Sequence, residues 1–408
     1  MVDKNLFLHD LAVVAILKDE GRYLKEWLDY HLLAGVDHFY LYDNNSTDNQ
    51  AEVAAPYVEA GLVDYFHAPG KAMQIVAYND AVKNFKFQCR YMAFIDADEF
   101  IFPKTNQSIV ETLDEILSRN PNAAGVAINW QLFGSTGHET ADYSRGVLER
   151  FTRRAQSDWN FNNLGNNRVK NVVNPRKTEF VTNPHCPRYF GDFVSVNENG
   201  APVTEDNFPV TVEKIAVNHY YTKSREEFAK KIWRGRTDIF FNAYNMNLFD
   251  SYDRNEIFDD GILKYRAARA QNFSLPDDDE KLRRVAETLT RILSAYSAGE
   301  NFSLETALTC RALSAYLYEK FPDERWKICE EAALAAILNL SDGLTVADGY
   351  ILVRELPQLL CRPYPVAKYL REISVQIVRQ LMEFARTNER WQYYFELDYL
   401  TDILKFGG

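Results

Sequence analysis

Apolar residues fall in short blocks along the first 135 residues, and the blocks alternate between two periods. Leu11–Leu17 is an unbroken apolar run, which predicts a strand covered on both faces. Tyr23, Leu24, Trp27, Leu28 and His31 follow at i, i+3, i+4 spacing and predict a helix. The alternation then repeats. Strands are predicted at His38–Tyr42, Leu62–His67, Arg90–Ile95 and Ala124–Phe133. Helices are predicted from near Asp48, over 72–85, and from a Ser108–Glu111 capping box. Strands separated by helices at this spacing predict βαβ units and a mostly parallel sheet, an α/β fold.

Between 135 and 220 the pattern breaks down, and Gly, Asn, Pro and Arg dominate. Val210–Tyr220 predicts a late strand, and Ser224-Arg-Glu-Glu227 predicts a capped helix to about Arg236. Pro276-Asp-Asp-Asp-Glu280 marks an expected boundary between a first domain, 1–275, and an all-helical C-terminal domain, 276–408. The helical stripes beyond it have no fixed repeat period, so a solenoid is not expected.

Composition narrows the function classes. At 46% hydrophobic and 25% charged, the chain can build a large core without disulfides or a structural metal. A net charge of −12 argues against nonspecific nucleic-acid binding, which needs a basic field. The five cysteines are scattered singly, as in a reducing compartment. The first residues carry no apolar signal-like run, so the expected location is cytoplasmic. A lipid-linked acceptor would then be reached by peripheral membrane association. Against the acidic background, Arg145–Lys177 holds eight basic residues and two acidic ones. This stretch is a candidate cradle for a diphosphate or an anionic acceptor, or else a solvated loop.

Open parallel sheets bind ligands at the carboxyl ends of their strands. Lys18-Asp19-Glu20 follows the first predicted strand, Asp43-Asn44-Asn45 the second, and Asp96-Ala97-Asp98-Glu99 the fourth. The first loop has a single glycine, Gly21, and so lacks the glycine-rich backbone that grips a pyrophosphate. A diphosphate would need another counter-charge, and a divalent cation is the natural one. Asp96 and Asp98 are alternate residues leaving a strand and can reach one cation, their hard oxygens suiting Mn²⁺ or Mg²⁺. Asp43 is placed to contact a base or ribose, or to form an Asx turn. His219 ends the late strand, either as a further metal ligand or as a structural histidine; His138 and His185 read more readily as structural.

Several ordered motifs carry a resemblance. They are Ala15-Ile-Leu-Lys-Asp-Glu20 with Glu26-Trp-Leu-Asp-Tyr-His31, then Gly35–Asp48, Phe94-Ile-Asp-Ala-Asp-Glu-Phe100, Trp130–His138 and Asn218-His-Tyr-Tyr-Thr-Lys-Ser224. Over roughly 10–236 the chain resembles family 2-type glycosyltransferases of the GT-A fold, close to family 92. The resemblance implies metal-dependent, inverting transfer of a hexose from a nucleotide-diphosphate sugar, a UDP-sugar, to a glycan or glycolipid hydroxyl. It implies Glu20 and Asp43 as nucleotide contacts, with Lys18, Asn45, Lys71 and Asp96 also assigned to the donor. Asp96, Asp98 and His219 are implied as the metal set. An inverting enzyme needs a carboxylate to deprotonate the acceptor, and Glu139 is favoured over Asp192. Family 2 enzymes often carry Asn-Glu where this chain has Asp19-Glu20, a departure that leaves the details of base recognition open.

Two other readings stay open: a haloacid-dehalogenase-type phosphohydrolase, and a non-catalytic nucleotide-sugar-binding or scaffold protein. With Asp98 on an exposed loop, Asp98→Ala is expected to spare the fold.

Overall fold

The computed structural model describes residues 2–162, 164–235, 245–271, 273–274, 277–340, 344–360, 365–387 and 397. The apolar run at the start becomes β1 (His9–Leu17), eight of whose nine residues are buried. It pairs in parallel with β2 (His38–Asp43) and β4 (Cys89–Phe94), and β2 pairs in parallel with β3 (Val63–His67). Helices α1 (Gly21–Ala34), α2 (Gln50–Glu59) and α3 (Gln74–Phe85) make the crossovers.

The lack of alternation in β1 has a direct cause. Val13, Ala15 and Leu17 pack on one face with Trp27 and Leu28 of α1, while Ala12, Val14 and Ile16 pack on the other with Tyr78 and Ala81 of α3. Successive side chains point to opposite faces, and a helix covers each.

Helix α4 (Ile109–Leu117) opens with the expected box, Ser108 and Glu111 each bonding the other's backbone N–H. β5 (Glu99–Pro103) and β6 (Ala123–Leu132) flank it. The sheet has ten strands, running 202–203, 194–196, β6, 169–173, β4, β1, β2, β3 along its main path. Strand Val169–Val173 departs from the parallel rule, lying antiparallel to both β4 and β6. It therefore starts at the edge where the parallel strands end, and carries its own side chains there.

The late strand is shorter than expected. It spans Ile215–His219, parallel to β6 and antiparallel to β5. The N–H groups of Glu213, Lys214 and Ile215 instead donate to the Glu198 carboxylate. A side chain takes the place of a neighbouring strand there, and backbone donors are satisfied either way.

Contacts divide the chain into two compact units. One joins His9–Tyr189 with Phe193–Asp277; the other joins Met1–Leu8, Phe190–Asp192 and Asp278–Gly408. In the second, helices Asp278–Ser297, Leu304–Lys320 and Glu324–Leu340 bury Val285, Leu289, Leu313 and Trp326 together with Leu6 and Leu8. Among the described residues no helix is long and apolar enough to cross a membrane.

A buried histidine makes the core pH-sensitive. His31 is fully buried; its Nδ1 donates to the Trp27 carbonyl, and its Nε2 accepts from the Ile101 N–H. A neutral ring satisfies both bonds, whereas a protonated ring orphans the Ile101 donor. Burial, only partly opposed by the Trp27 carbonyl, depresses its pKa to about 3. The unfolded ring titrates near ~6.5. The unfolded chain thus binds the proton first, and stability present above pH ~6.5 is lost as pH falls toward 3, at about 1.4 kcal/mol per unit. Urea unfolding at pH 7 and pH 5 is expected to show a loss from this group of roughly 2 kcal/mol. A His31→Gln chain should lack that component; identical pH slopes in both proteins would contradict the assignment.

Candidate active site

The carboxyl ends of β1 and β4, the first residue of α3 and the end of strand Ile215–His219 converge on one cavity of about 160 Å³. Among its walls are Lys18, Glu20, Gln74, Asp96, Asp98, Trp130, Lys170, His185, His219, Lys231 and Arg234. Four of the residues singled out from sequence at strand ends, Glu20, Asp96, Asp98 and His219, thus meet with Lys18 in the same place.

Each carboxylate has a cationic partner. Asp96 accepts from Gln74 Nε2 at 2.8 Å and from Lys170 Nζ at 2.8 Å. Lys170, only 1% exposed, also reaches Glu99 at 3.3 Å. Asp98 holds Lys231 Nζ at 2.7 Å on one oxygen and faces His219 Nε2 at 3.4 Å with the other. Glu20 pairs with Arg234 at 2.6 Å. Burial alone would raise the Asp98 carboxyl, but Lys231, His219 and Lys223 outweigh it and hold the group well below the usual carboxylate range. Glu99 goes the other way, pushed up to about 8 by burial despite Lys170. Burial likewise lowers His219, against the pull of Asp98.

Asp98 and His219 stand nearly as two neighbouring ligands of a divalent cation would, although among the described residues no group of three or more His, Cys, Asp or Glu side chains is arranged to hold one. Two neighbouring ligands of an octahedral cation, each ~2.1 Å from it, stand ~3.0 Å apart, close to the 3.4 Å between Asp98 Oδ1 and His219 Nε2. On the far side of the ring, His219 Nδ1 and Glu99 Oε1 are both buried without hydrogen-bond partners, 4.0 Å apart. A metal-bound histidine commonly presents its second nitrogen to a carboxylate, and Glu99 is placed to receive it.

Other residues assigned from sequence land elsewhere or change character. Asp43, Asn45 and Lys71 do not line the cavity. Asp43 Oδ1 accepts from the Ser46 N–H and Gln50, so this carboxylate builds the turn it was alternatively assigned to. Asn45, with φ of 59°, and Lys71 are exposed. Glu139 is exposed, and its carbonyl accepts from the Glu226 N–H at the start of helix Arg225–Arg234. Asp192 is exposed and belongs to the helical unit.

Asp98 is not on an exposed loop: it is 6% exposed and ion-paired. Removing it would take away the carboxylate on Lys231, whose ammonium also donates to the Tyr221 carbonyl, so Asp98→Ala is expected to lower stability. The basic stretch is chiefly structural. Arg150 pairs with Glu227, Arg154 with Asp259 and Arg168 with Asp206, while Arg176 donates to the Cys89 carbonyl. Of the eight basic residues, Lys170 is the one that lines the cavity.

Lys231, Arg234, Gln74 and Trp130 were not singled out from sequence. Lys231 and Arg234 are i, i+3 on the capped helix that follows His219 and so share a face. A capped helix leaving a ligand-bearing strand is the signal that was available. His185, set aside as structural, donates Nδ1–H to the Val169 carbonyl yet also lines the cavity.

The sequence pattern of Glycosyltransferase family 92 matches residues 15–255, more than half of the chain. A glycosyltransferase family 92 protein of Ricinus communis is 24% identical over 249 residues, covering 60% of this chain and 41% of the relative. Galactan beta-1,4-galactosyltransferase GALS2 of Arabidopsis thaliana is 30% identical over 101 residues, 21% of this chain and 18% of the relative. The chain spans less than half the length of these relatives. S. aureus TarS 1–349 in complex with UDP superposes at a TM-score of 0.32 and 12% identity, over 93% of this chain and 92% of that one, too loosely to transfer a function. With a matched segment that runs from β1 through the Asp96–Asp98 turn and His219 to helix Arg225–Arg234, the chain belongs to glycosyltransferase family 92.

Proposed function

We propose that this protein transfers a hexose from a nucleotide-diphosphate sugar, a UDP-sugar, to a glycan or lipid-linked hydroxyl, with inversion. The carrying observation is the convergence of Asp96, Asp98 and His219 with Lys170, Lys231 and Arg234 around one cavity. The two aspartates and the histidine would hold Mn²⁺ or Mg²⁺. When bound, that ion supplies counter-charge for the diphosphate and its leaving group. The chain's own cations add to it. Arg234 and Lys231, paired here with Glu20 and Asp98, would turn to the phosphates, while Lys170 holds Asp96.

In the transfer, the acceptor oxygen forms a bond to the anomeric carbon as the bond from that carbon to the β-phosphate oxygen breaks. The nucleoside diphosphate leaves with the bonding electrons, and the hydroxyl proton passes to a carboxylate. Glu20, Asp96 and Asp98 are each already committed to a cation. We assign the proton to Glu139, whose carbonyl is bonded by the start of the helix that carries Lys231 and Arg234, with Asp192 as the alternative.

The test is release of nucleoside diphosphate from a panel of UDP-hexoses with Mn²⁺, with and without pooled glycans. The expected result is slow donor hydrolysis of one sugar nucleotide, accelerated by an acceptor. Glu139→Gln should keep the donor KM and lower kcat by about 10²–10⁴-fold. Hydrolysis of p-nitrophenyl phosphate without sugar-nucleotide turnover would favour a phosphohydrolase. Tight UDP binding without any turnover would favour a non-catalytic protein.

A further inference from the structure

A second recess, about 190 Å³, adjoins the donor cavity and shares Tyr221, Lys231 and Arg234 with it. Asp96, Asp98 and His219 line the first and not the second, so a diphosphate chelated through the metal set belongs to the first. The recess is walled by the tyrosines Tyr23, Tyr143 and Tyr221 and by more positive than negative groups.

Most of those charges are committed. Glu227 is held by Arg150, and Asp19 accepts from the N–H and hydroxyl of Thr47. Lys231 is on Asp98, Arg234 on Glu20, and Lys230 on Glu226.

Arg22 is exposed and lies over the Tyr143 ring, which leaves Lys223 as the buried exception. It is 5% exposed, lines the recess, and has no hydrogen-bond acceptor or ion-pair partner within bonding distance among the described residues. Its ammonium lies over the Tyr23 ring at 4.5 Å and feels Glu20 and Asp98 only across space. Its backbone is left-handed, with φ of 51°, a conformation that costs a residue with a side chain about 1 kcal/mol or more and is kept where something fixes it. Beside it the Thr222 hydroxyl is buried without a partner. Burial, only partly offset by Glu20 and Asp98, lowers the Lys223 pKa, as for an ammonium still lacking a counter-ion.

We propose that this recess is the acceptor subsite and that it takes a sugar bearing an acidic group, a phosphate or a carboxylate, with Lys223 as the anion's partner. Tyrosine rings give the sugar apolar faces to lie against, and an anion beside Lys223 supplies the counter-charge that the described residues leave missing there. The inference rests on the glycosyltransferase reading of the neighbouring cavity.

The experiment is calorimetry on the full chain. UDP with Mn²⁺ is titrated first; failure at this step counts against the nucleotide-sugar reading, and the next titrations are then run on the ligand-free chain. Glucose 6-phosphate, glucuronate and glucose are each titrated into the UDP- and Mn²⁺-saturated protein. The expected result is binding of the acidic sugars at least tenfold tighter than of glucose. Lys223→Met, which keeps the stem against Tyr23, should erase that preference and leave UDP affinity within threefold; Lys223→Arg should restore it. Equal binding of acidic and neutral sugars, or no binding of any, overturns the proposal. So does displacement of UDP by glucose 6-phosphate, or a Lys223→Met chain that loses UDP affinity, since either places the ammonium on the donor diphosphate.

Discussion

Asp98→Asn is expected to bind UDP about equally with Mn²⁺ and with chelator, its Mn²⁺-dependent affinity falling by a hundredfold or more, about 3 kcal/mol. The substitution keeps the volume and removes the charge that faces His219 Nε2 at 3.4 Å and Lys231 Nζ at 2.7 Å. Asparagine is the informative choice. Alanine at this 6%-exposed position takes the carboxylate away from Lys231 and His219, and breaking a buried ion pair by removing one partner costs about 3–5 kcal/mol. Asp98→Ala therefore confounds folding with binding, while Asp98→Asn retains a polar partner for Lys231. Thermal shift with UDP, with and without Mn²⁺, reads both properties at once. A variant that keeps the full Mn²⁺ enhancement would remove Asp98 from the metal set.

The second large effect is one of stability. Arg150 and Glu227, each 1% exposed, form a two-pronged ion pair at 2.8 and 2.9 Å. Glu227 also closes the capping box with Ser224 and accepts the Tyr23 hydroxyl. Burial would raise the Glu227 carboxyl, but Arg150 and Ser224 outweigh it and bring the group down to about 2. Arg150→Met leaves that carboxylate buried and uncompensated, so a loss of about 3–5 kcal/mol is expected, a Tm drop on the order of 10 °C. The double variant Arg150→Met/Glu227→Gln should recover a large part, because the stranded charge is gone. The pair also fixes the start of the helix that carries Lys231 and Arg234, so the single variant should weaken UDP binding even while folded. Scanning calorimetry that finds a drop below about 2 °C for Arg150→Met would contradict this role.

How far each feature was legible in the sequence depended on how local its signal was. β1 was legible because a strand covered on both faces leaves an unbroken apolar run, and the Ser108 and Ser224 caps were legible because their partners lie three residues away. Glu20, Asp96, Asp98 and His219 were found from their positions at or just past strand ends, which a local apolar pattern is enough to locate. Residues 210–214 misled because their apolar pattern continues a strand, whereas Glu198 draws the backbone donors away from the ladder. Lys170 was one of eight equivalent cations in the sequence; only the antiparallel insertion of Val169–Val173 between β4 and β6 delivers it to Asp96. Asp43 shows the converse. Its strand-end position is the expected one, but its oxygen is used by the turn that comes next.

A cation and a nucleotide diphosphate are expected to meet between the Asp96–Asp98 turn and His219. Calorimetric titration of UDP into the unmodified protein, once with Mn²⁺ and once with excess EDTA, tests this most directly. The predicted result is one site whose affinity falls about a hundredfold or more when the metal is removed. Equal affinity in both solutions, or no UDP binding in either, would contradict it.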